Sequence, residues 1–149
     1  MDCVEFLSTV VDLSRLDQIS FNPDLTSTSI DPTMECVRLL MRLAHNVSAL
    51  AIHSNLSHAD DERDVTDKIS SIIPQHLKYL EVTVRSVNGM LQILDHHPVL
   101  CSVTFVAHGN QSLPWSELVN VLLDRRRDFV YWESYYSLRI WFNHSRHPE

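Results

Sequence analysis

Residues 77–94 have the sequence Leu77-Lys-Tyr-Leu80-Glu-Val82-Thr-Val-Arg85, followed directly by Ser86-Val-Asn-Gly-Met-Leu-Gln-Ile-Leu94. The first half is rich in β-branched and aromatic residues and alternates toward its end, which is typical of a strand. The second half has apolar residues at i, i+3, i+4 and i+7, which form one face of a helix. These residues are Val87, Met90, Leu91 and Leu94. The stretch therefore predicts a strand that leads directly into an amphipathic helix.

The apolar spacing of this strand recurs along the chain. Leu77, Leu80 and Val82 fit the pattern L-x-x-L-x-L, which is the strand pattern of a leucine-rich repeat. Four other segments fit the same pattern: Leu16, Ile19 and Phe21; Val47, Leu50 and Ile52; Leu100, Val103 and Phe105; and Tyr135, Leu138 and Ile140. The intervals between the five segments scatter around the length of one strand plus one helix. Repeats with loops of variable length would give this rhythm.

Four further apolar stripes with helical spacing lie before the first of these strands or between two of them. They comprise Val4, Leu7 and Val11; Val37, Leu40 and Met41; Val65, Ile69 and Ile72; and Trp115, Leu118 and Leu122. No hairpin signal such as Asn-Gly separates two strands, so we expect parallel strands joined by right-handed crossovers.

The predicted fold is α/β. We predict a leucine-rich-repeat-like solenoid of about five helix-strand units, forming a single domain over residues 1–149. Five strands in sequence order would form a curved parallel sheet, with the helices on one face only. A doubly wound sheet has a similar rhythm, so a small doubly wound α/β enzyme of unknown reaction is the alternative.

Composition and charge narrow the possible partners. The net charge of −7 argues against nucleic acid, which requires a basic surface to neutralise phosphates. No apolar run approaches the length of a membrane span, so we expect no membrane partner. The N-terminal sequence lacks the features of a signal peptide, and Cys3, Cys36 and Cys101 have no disulfide framework spacing. We therefore expect a cytoplasmic or nuclear protein, although four Asn-x-Ser sequons would favour secretion.

The sequence offers little for catalysis. Gly89 and Gly109 are the only glycines, and neither belongs to a phosphate-binding loop. The densest group of possible metal ligands, which comprises His96, His97, Cys101 and His108, lacks the paired spacing of a zinc site. No Gly-x-Ser-x-Gly nucleophile motif is present. We therefore predict no catalytic residue, no cofactor and no metal, and a chain that is not an enzyme.

The residues between the apolar positions of each strand should lie on the opposite face of the sheet. They form a mixed polar face with a few aromatic side chains, as a protein-binding surface would have. We predict that binding of a protein partner of unknown identity uses Tyr79, Glu81, Thr83, Ser102, Thr104, Arg139 and Trp141. A solvated sheet face is the alternative, and Trp141 could instead cover the end of the core.

The helix-strand units resemble the divergent repeats of F-box/leucine-rich-repeat proteins. The resemblance rests on Leu91-Gln-Ile-Leu94 leading to Leu100-Cys-Ser-Val103-Thr-Phe105, and on Pro114-Trp-Ser-Glu-Leu118. The run Arg126-Arg-Asp-Phe-Val-Tyr-Trp132 leading to Ser137-Leu-Arg-Ile-Trp141 also carries it. In that family the repeats recruit a substrate and a separate F-box docks the cullin ubiquitin ligase. The resemblance therefore implies the substrate-recruiting part of a ubiquitin-ligase receptor, as a fragment lacking the F-box that would bind the cullin-ligase adaptor.

Overall fold

The structure, a computed structural model, describes residues 12–22, 32–54, 62–109, 111–125 and 127–143. A six-stranded, mostly parallel open sheet carries four helices. The strands are β1 (Gln18–Phe21), β2 (Ala49–Ile52), β3 (Tyr79–Val84), β4 (Ser102–Ala107), β5 (Phe129–Glu133) and β6 (Ser137–Phe142). The helices are α1 (Pro32–Leu43), α2 (Glu62–Ile72), α3 (Val87–His96) and α4 (Trp115–Asp124), and a short 3-10 turn spans Leu13–Arg15.

The first four strands are parallel and lie side by side in chain order. Each of the three connections between them contains one helix, and each helix contacts the helix that follows it in sequence. Consecutive parallel strands joined by right-handed crossovers place their helices on the same side of a sheet. The described helices therefore form one layer against one face of the sheet.

Local sequence sets the ends of these helices. The Ser86 hydroxyl accepts a hydrogen bond from the Gly89 backbone N–H at 3.1 Å, which caps the first turn of α3. Pro74 follows the end of α2, and Pro98 follows His97 after α3, because proline cannot continue a helix. The helix α1 begins at Pro32, and proline suits the first position of a helix because its fixed φ is already helical.

The core lies between the sheet and the helix layer. On the sheet side, the core consists of two rows of side chains that the strand register aligns. One row contains Ile19, Leu50, Leu80, Val103 and Ile140, and the other contains Phe21, Ile52, Val82, Phe105 and Leu138. All of them are buried except Phe21, which is half-buried. The second and third apolar positions of the predicted pattern thus occupy core positions in each of the five predicted segments.

The predicted order of five parallel strands is wrong at its C-terminal end. The sheet order is β1-β2-β3-β4-β6-β5, and β6 is antiparallel to both of its neighbours. An additional strand, β5, precedes β6 and forms a hairpin with it, although no turn sequence such as Asn-Gly separates the two strands. Residues 134–136 are too few for the crossover that a parallel pair requires, so the chain must reverse.

Other predictions concern parts of the chain that the structure leaves undescribed. The first helical stripe, Val4 to Val11, and Cys3 lie outside the described residues. Cys36 and Cys101 are free thiols, each partly buried. Each helix in the described ranges is too short or too polar to cross a lipid bilayer.

Candidate functional site

Opposite the helix layer, the sheet presents a second face, which we call the open face. Two rows of cross-strand neighbours extend over all six strands of this face, in the order β1, β2, β3, β4, β6, β5. One row is Gln18, Ala49, Tyr79, Ser102, Trp141 and Val130, and the other is Ser20, Ala51, Glu81, Thr104, Arg139 and Trp132. No described helix packs on this face, so its side chains are available to a partner as far as the described residues extend.

The surface of the open face is uneven, because small and large side chains alternate from strand to strand along the row that contains Tyr79 and Trp141. Tyr79 on β3 and Trp141 on β6 rise on either side of the small side chain of Ser102. Strands lie about 4.8 Å apart, so these two rings stand roughly 10 Å from one another. A shallow cavity of about 250 Å³ extends over this region and over Ala49 and Ala51 on β2. Its width suits an extended segment or one inserted side chain.

Arg139 is the basic group of the open face, and its side chain is held in one orientation. Its Nε–H donates a hydrogen bond to the Thr104 Oγ1 at 3.0 Å. Its guanidinium carbon lies 5.7 Å from the centre of the Trp141 ring, within the range of a cation–π interaction. No carboxylate in the described part of the chain forms an ion pair with Arg139. The guanidinium is therefore positioned and retains capacity for an anionic group.

The acidic group of the open face, Glu81, is paired. Its Oε1 lies 3.1 Å from the Nε2 of His53, at the end of β2. Both side chains are partly exposed, so this contact contributes little to stability, and it is an ion pair only when His53 is protonated. The contact fixes the position of Glu81 next to the exposed ring of Tyr79.

The structure places five of the seven predicted binding residues at accessible positions. Tyr79 is 50% exposed and Trp141 is 39% exposed, while Arg139 is also exposed and Glu81 and Thr104 are partly buried. Thr83 and Ser102 are buried, each with 8% exposure, so they offer little contact area. Ser102 lies between the two larger residues Tyr79 and Trp141, which explains its low exposure.

The direction of β6 changes which predicted residues are neighbours. Parallel pairing would have placed Ser137 beside Ser102 and Trp141 beside Val106. Antiparallel pairing instead places Trp141 beside Ser102, and Ser137 beside Val106. As a result Trp141 and Tyr79 belong to the same row of the open face.

Two exposed residues of the open face were not predicted. Val130 and Trp132, on β5, lie opposite Trp141 and Arg139 and extend the aromatic part of the face to the edge of the sheet. The sequence Phe129-Val-Tyr-Trp-Glu133 has the composition of a strand, and only a few residues separate it from the next one. That combination could have indicated the hairpin.

In the described ranges, no three side chains of the types His, Cys, Asp and Glu lie close enough together to hold a metal ion.

In comparisons with known proteins, no family model matches the chain, and no curated protein matches it. A solved structure of an uncharacterized protein from Listeria monocytogenes serotype 4b shows a weak likeness, with a TM-score of 0.35 and 8% sequence identity. The likeness covers 100% of this chain and 70% of the other.

Proposed function

We propose that the chain is a non-catalytic protein-binding module that uses the open face. The observation that carries the proposal is the exposure of Tyr79, Arg139 and Trp141 on a sheet face that no described helix covers. Tyr, Trp and Arg are the residue types that most often dominate the binding energy of an interface. Here they line a shallow cavity and belong to β3 and β6, the two strands on either side of β4.

The chemistry of the open face favours a particular kind of protein segment. Arg139 has no carboxylate partner among the described residues, and Trp141 lies against it. An Asp or Glu side chain of the partner would complete a charge-assisted hydrogen bond with the guanidinium. An apolar side chain next to it would pack between the rings of Tyr79 and Trp141. We therefore propose that the partner presents an acidic residue beside an apolar one.

At a finer level we propose that the helix-strand units form a leucine-rich-repeat-like solenoid. The parallel strands β1–β4 lie in chain order, and successive helices contact one another, as expected for stacked repeats. The corresponding role is the substrate-recruiting part of a cytoplasmic or nuclear ubiquitin-ligase receptor, whose F-box would bind the cullin-ligase adaptor. The resemblance in repeat spacing supports this finer proposal.

Binding through the open face is tested by replacing its two anchors. The chain is first used in a pull-down from its native cells to identify a partner, whose binding is then measured with purified proteins. We expect Tyr79→Ala and Arg139→Ala each to raise the Kd about tenfold or more, because truncation of an interface anchor typically costs more than 1 kcal/mol. Thermal melts should remain close to that of the unchanged chain, since both side chains are exposed.

Matched controls are available away from the open face. Tyr135 is exposed in the β5–β6 turn, and Arg15 is exposed in the 3-10 turn. Tyr135→Ala and Arg15→Ala should leave the Kd unchanged. Equal binding by all four variants would mean that the open face is solvated scaffold and would overturn the proposal.

The ligase role has its own readout. If the chain recruits a substrate, the partner should carry ubiquitin in cells. The double variant Tyr79→Ala with Arg139→Ala should then lower the modified fraction. A partner that binds the open face but carries no ubiquitin would remove the ligase role and retain the binding role.

A further inference from the structure

One of the two outer strands of the sheet, β5, is exposed on both of its faces. Tyr131 is 49% exposed on the helix side, and Val130 and Trp132 are 57% and 58% exposed on the open face. Among the described residues, β5 pairs with β6 alone, so its other edge has no strand neighbour. Proteins usually protect such edges with lysine, proline or a bulge. β5 has none of these, and Glu133 is its only charged residue.

The hydrogen bonds of the hairpin show which backbone groups point outward. The Ser134 N–H donates to the Ser137 carbonyl at 2.8 Å, and the Asn143 N–H donates to the Asp128 carbonyl at 3.0 Å. Hydrogen-bonded pairs alternate along an antiparallel ladder, and the register is continuous from 128 to 134. Residues 128, 130, 132 and 134 therefore direct their N–H and C=O groups toward β6. Phe129, Tyr131 and Glu133 direct theirs toward the free edge.

We propose that β5 pairs antiparallel with β5 of a second copy of this chain, about a two-fold axis at Tyr131. In this register Tyr131 faces Tyr131 of the second copy, and Phe129 faces Glu133 of the second copy. All outward-directed N–H groups then meet outward-directed carbonyls. A shift by one residue would oppose outward groups with inward ones, and a shift by two would shorten the pairing. The proposal is independent of the function proposed for the open face.

The side chains of β5 complement one another in this register. On the open face Val130 of each copy lies opposite Trp132 of the other, and an aromatic side chain opposite a β-branched one is a favourable cross-strand pair. Glu133 lies diagonally from Arg127 of the second copy, within reach of long side chains. Asp95 lies 2.8 Å from Arg125 and 3.9 Å from Arg127, so Arg127 is the more weakly paired of the two. No cation in the described ranges forms an ion pair with Glu133.

The size of this contact predicts a reversible dimer. Covering the exposed halves of Tyr131 and Trp132 in both copies would remove on the order of 400 Å² of aromatic surface from water. Stable interfaces bury about 800 Å² per partner, so a strand-edge contact belongs to the weaker class. We expect a Kd in the micromolar range, with sedimentation moving from monomer to dimer as concentration rises.

Amide exchange measured by NMR at low and high protein concentration tests the register directly. The amides of Phe129, Tyr131 and Glu133 should become more protected as concentration rises. Those of Val130 and Trp132 should be protected at both concentrations, because they bond to β6. If the protection of the Phe129, Tyr131 and Glu133 amides does not rise with concentration, the proposal is overturned. A chain that remains monomeric at roughly 1 mM would overturn it as well.

Substitutions provide a second test by analytical ultracentrifugation. Tyr131→Lys places two ammonium groups opposite each other at the axis and should raise the dimer Kd at least tenfold, since like charges in an interface are strongly unfavourable. Leu43→Lys, at an exposed position on α1 near the opposite edge of the sheet, is the matched control and should leave the Kd unchanged. Glu133→Lys should weaken the dimer, and adding Arg127→Glu should restore it. A Tyr131→Lys chain that still forms the dimer with unchanged Kd would contradict pairing through β5.

Discussion

Leu80 lies at the centre of a core-facing row, between Leu50 on β2 and Val103 on β4, and is 3% exposed. Its removal would leave a cavity between the sheet and the helix layer that neighbouring side chains could fill only in part. We expect Leu80→Ala to lower the free energy of unfolding by about 2–5 kcal/mol. Chemical denaturation monitored by circular dichroism would measure the loss.

Tyr79, the residue before Leu80, provides a comparison variant on the other face of the same strand. Tyr79 points to the open face and is half exposed, so Tyr79→Ala should change the free energy of unfolding by about 0.5 kcal/mol or less. A loss below about 1 kcal/mol for Leu80→Ala would show that this position is not part of the core.

The side chain of His97 is buried and lacks well-formed hydrogen bonds to the described residues. It is 2% exposed, and neither ring nitrogen makes a hydrogen bond of ordinary geometry with the described residues. Burial lowers the pKa of His97 below its usual value of 6.5, and the neighbouring His96 lowers it further. A weak interaction with the backbone of Ser70 raises the pKa and opposes part of this shift. The folded state therefore favours the neutral ring.

This preference predicts a pH-dependent stability. The unfolded chain takes up a proton at His97 as the pH falls through about 6.5, whereas the folded chain resists protonation to a lower pH. Stability due to this group should therefore be fully present above pH 6.5 and be lost as the pH falls toward the folded pKa. We expect His97→Leu to flatten the dependence of melting temperature on pH between about 7 and 5.

The exposed Gln75, which has no titratable group, is the matched control. Gln75→Leu should keep the pH dependence of the unchanged chain. An unaltered pH dependence in His97→Leu would show that His97 does not contribute to it.

At the scale of elements, the N-cap of α3 should contribute measurably to the free energy of unfolding. The Ser86 hydroxyl accepts the Gly89 N–H, which has no partner within the first turn of the helix. We expect Ser86→Ala to lower the free energy of unfolding by about 1 kcal/mol. Ser116→Ala, on the exposed side of α4, should have almost no effect. Equal melting temperatures for the two variants would mean that the cap does not stabilise α3.

The strands also show what sequence can and cannot predict. Apolar residues spaced as Leu80 and Val82 assign one face of a strand to the core, because side chains alternate along it. That rule correctly placed Tyr79, Arg139 and Trp141 on the face opposite the core. It is the same for both chain directions, so it could not show that β6 is antiparallel. It also could not show that Trp141 is beside Ser102.

At the scale of the whole molecule, the arrangement of the parallel part was predictable and that of the end was not. Helical stripes between the first four strands required crossovers, and crossovers of one hand gave a single helix layer. The position of β5 depends instead on the short connection 134–136 and on which sheet edge accepts the hairpin. Trp132 and Val130 therefore joined the open face without a signal in the repeat pattern.

The hairpin also affects the order in which the sheet can form. β5 and β6 are joined by residues 134–136, whereas a helix and its loops separate the strands of each parallel pair. Closing a short connection has a smaller entropic cost, and isolated hairpins form in about 1–10 μs, so we expect this pair to form first during refolding. On the ribosome the order differs, because synthesis starts at the N-terminus. The fastest-forming strands are then made after β1–β4, and the slow parallel pairings begin without them.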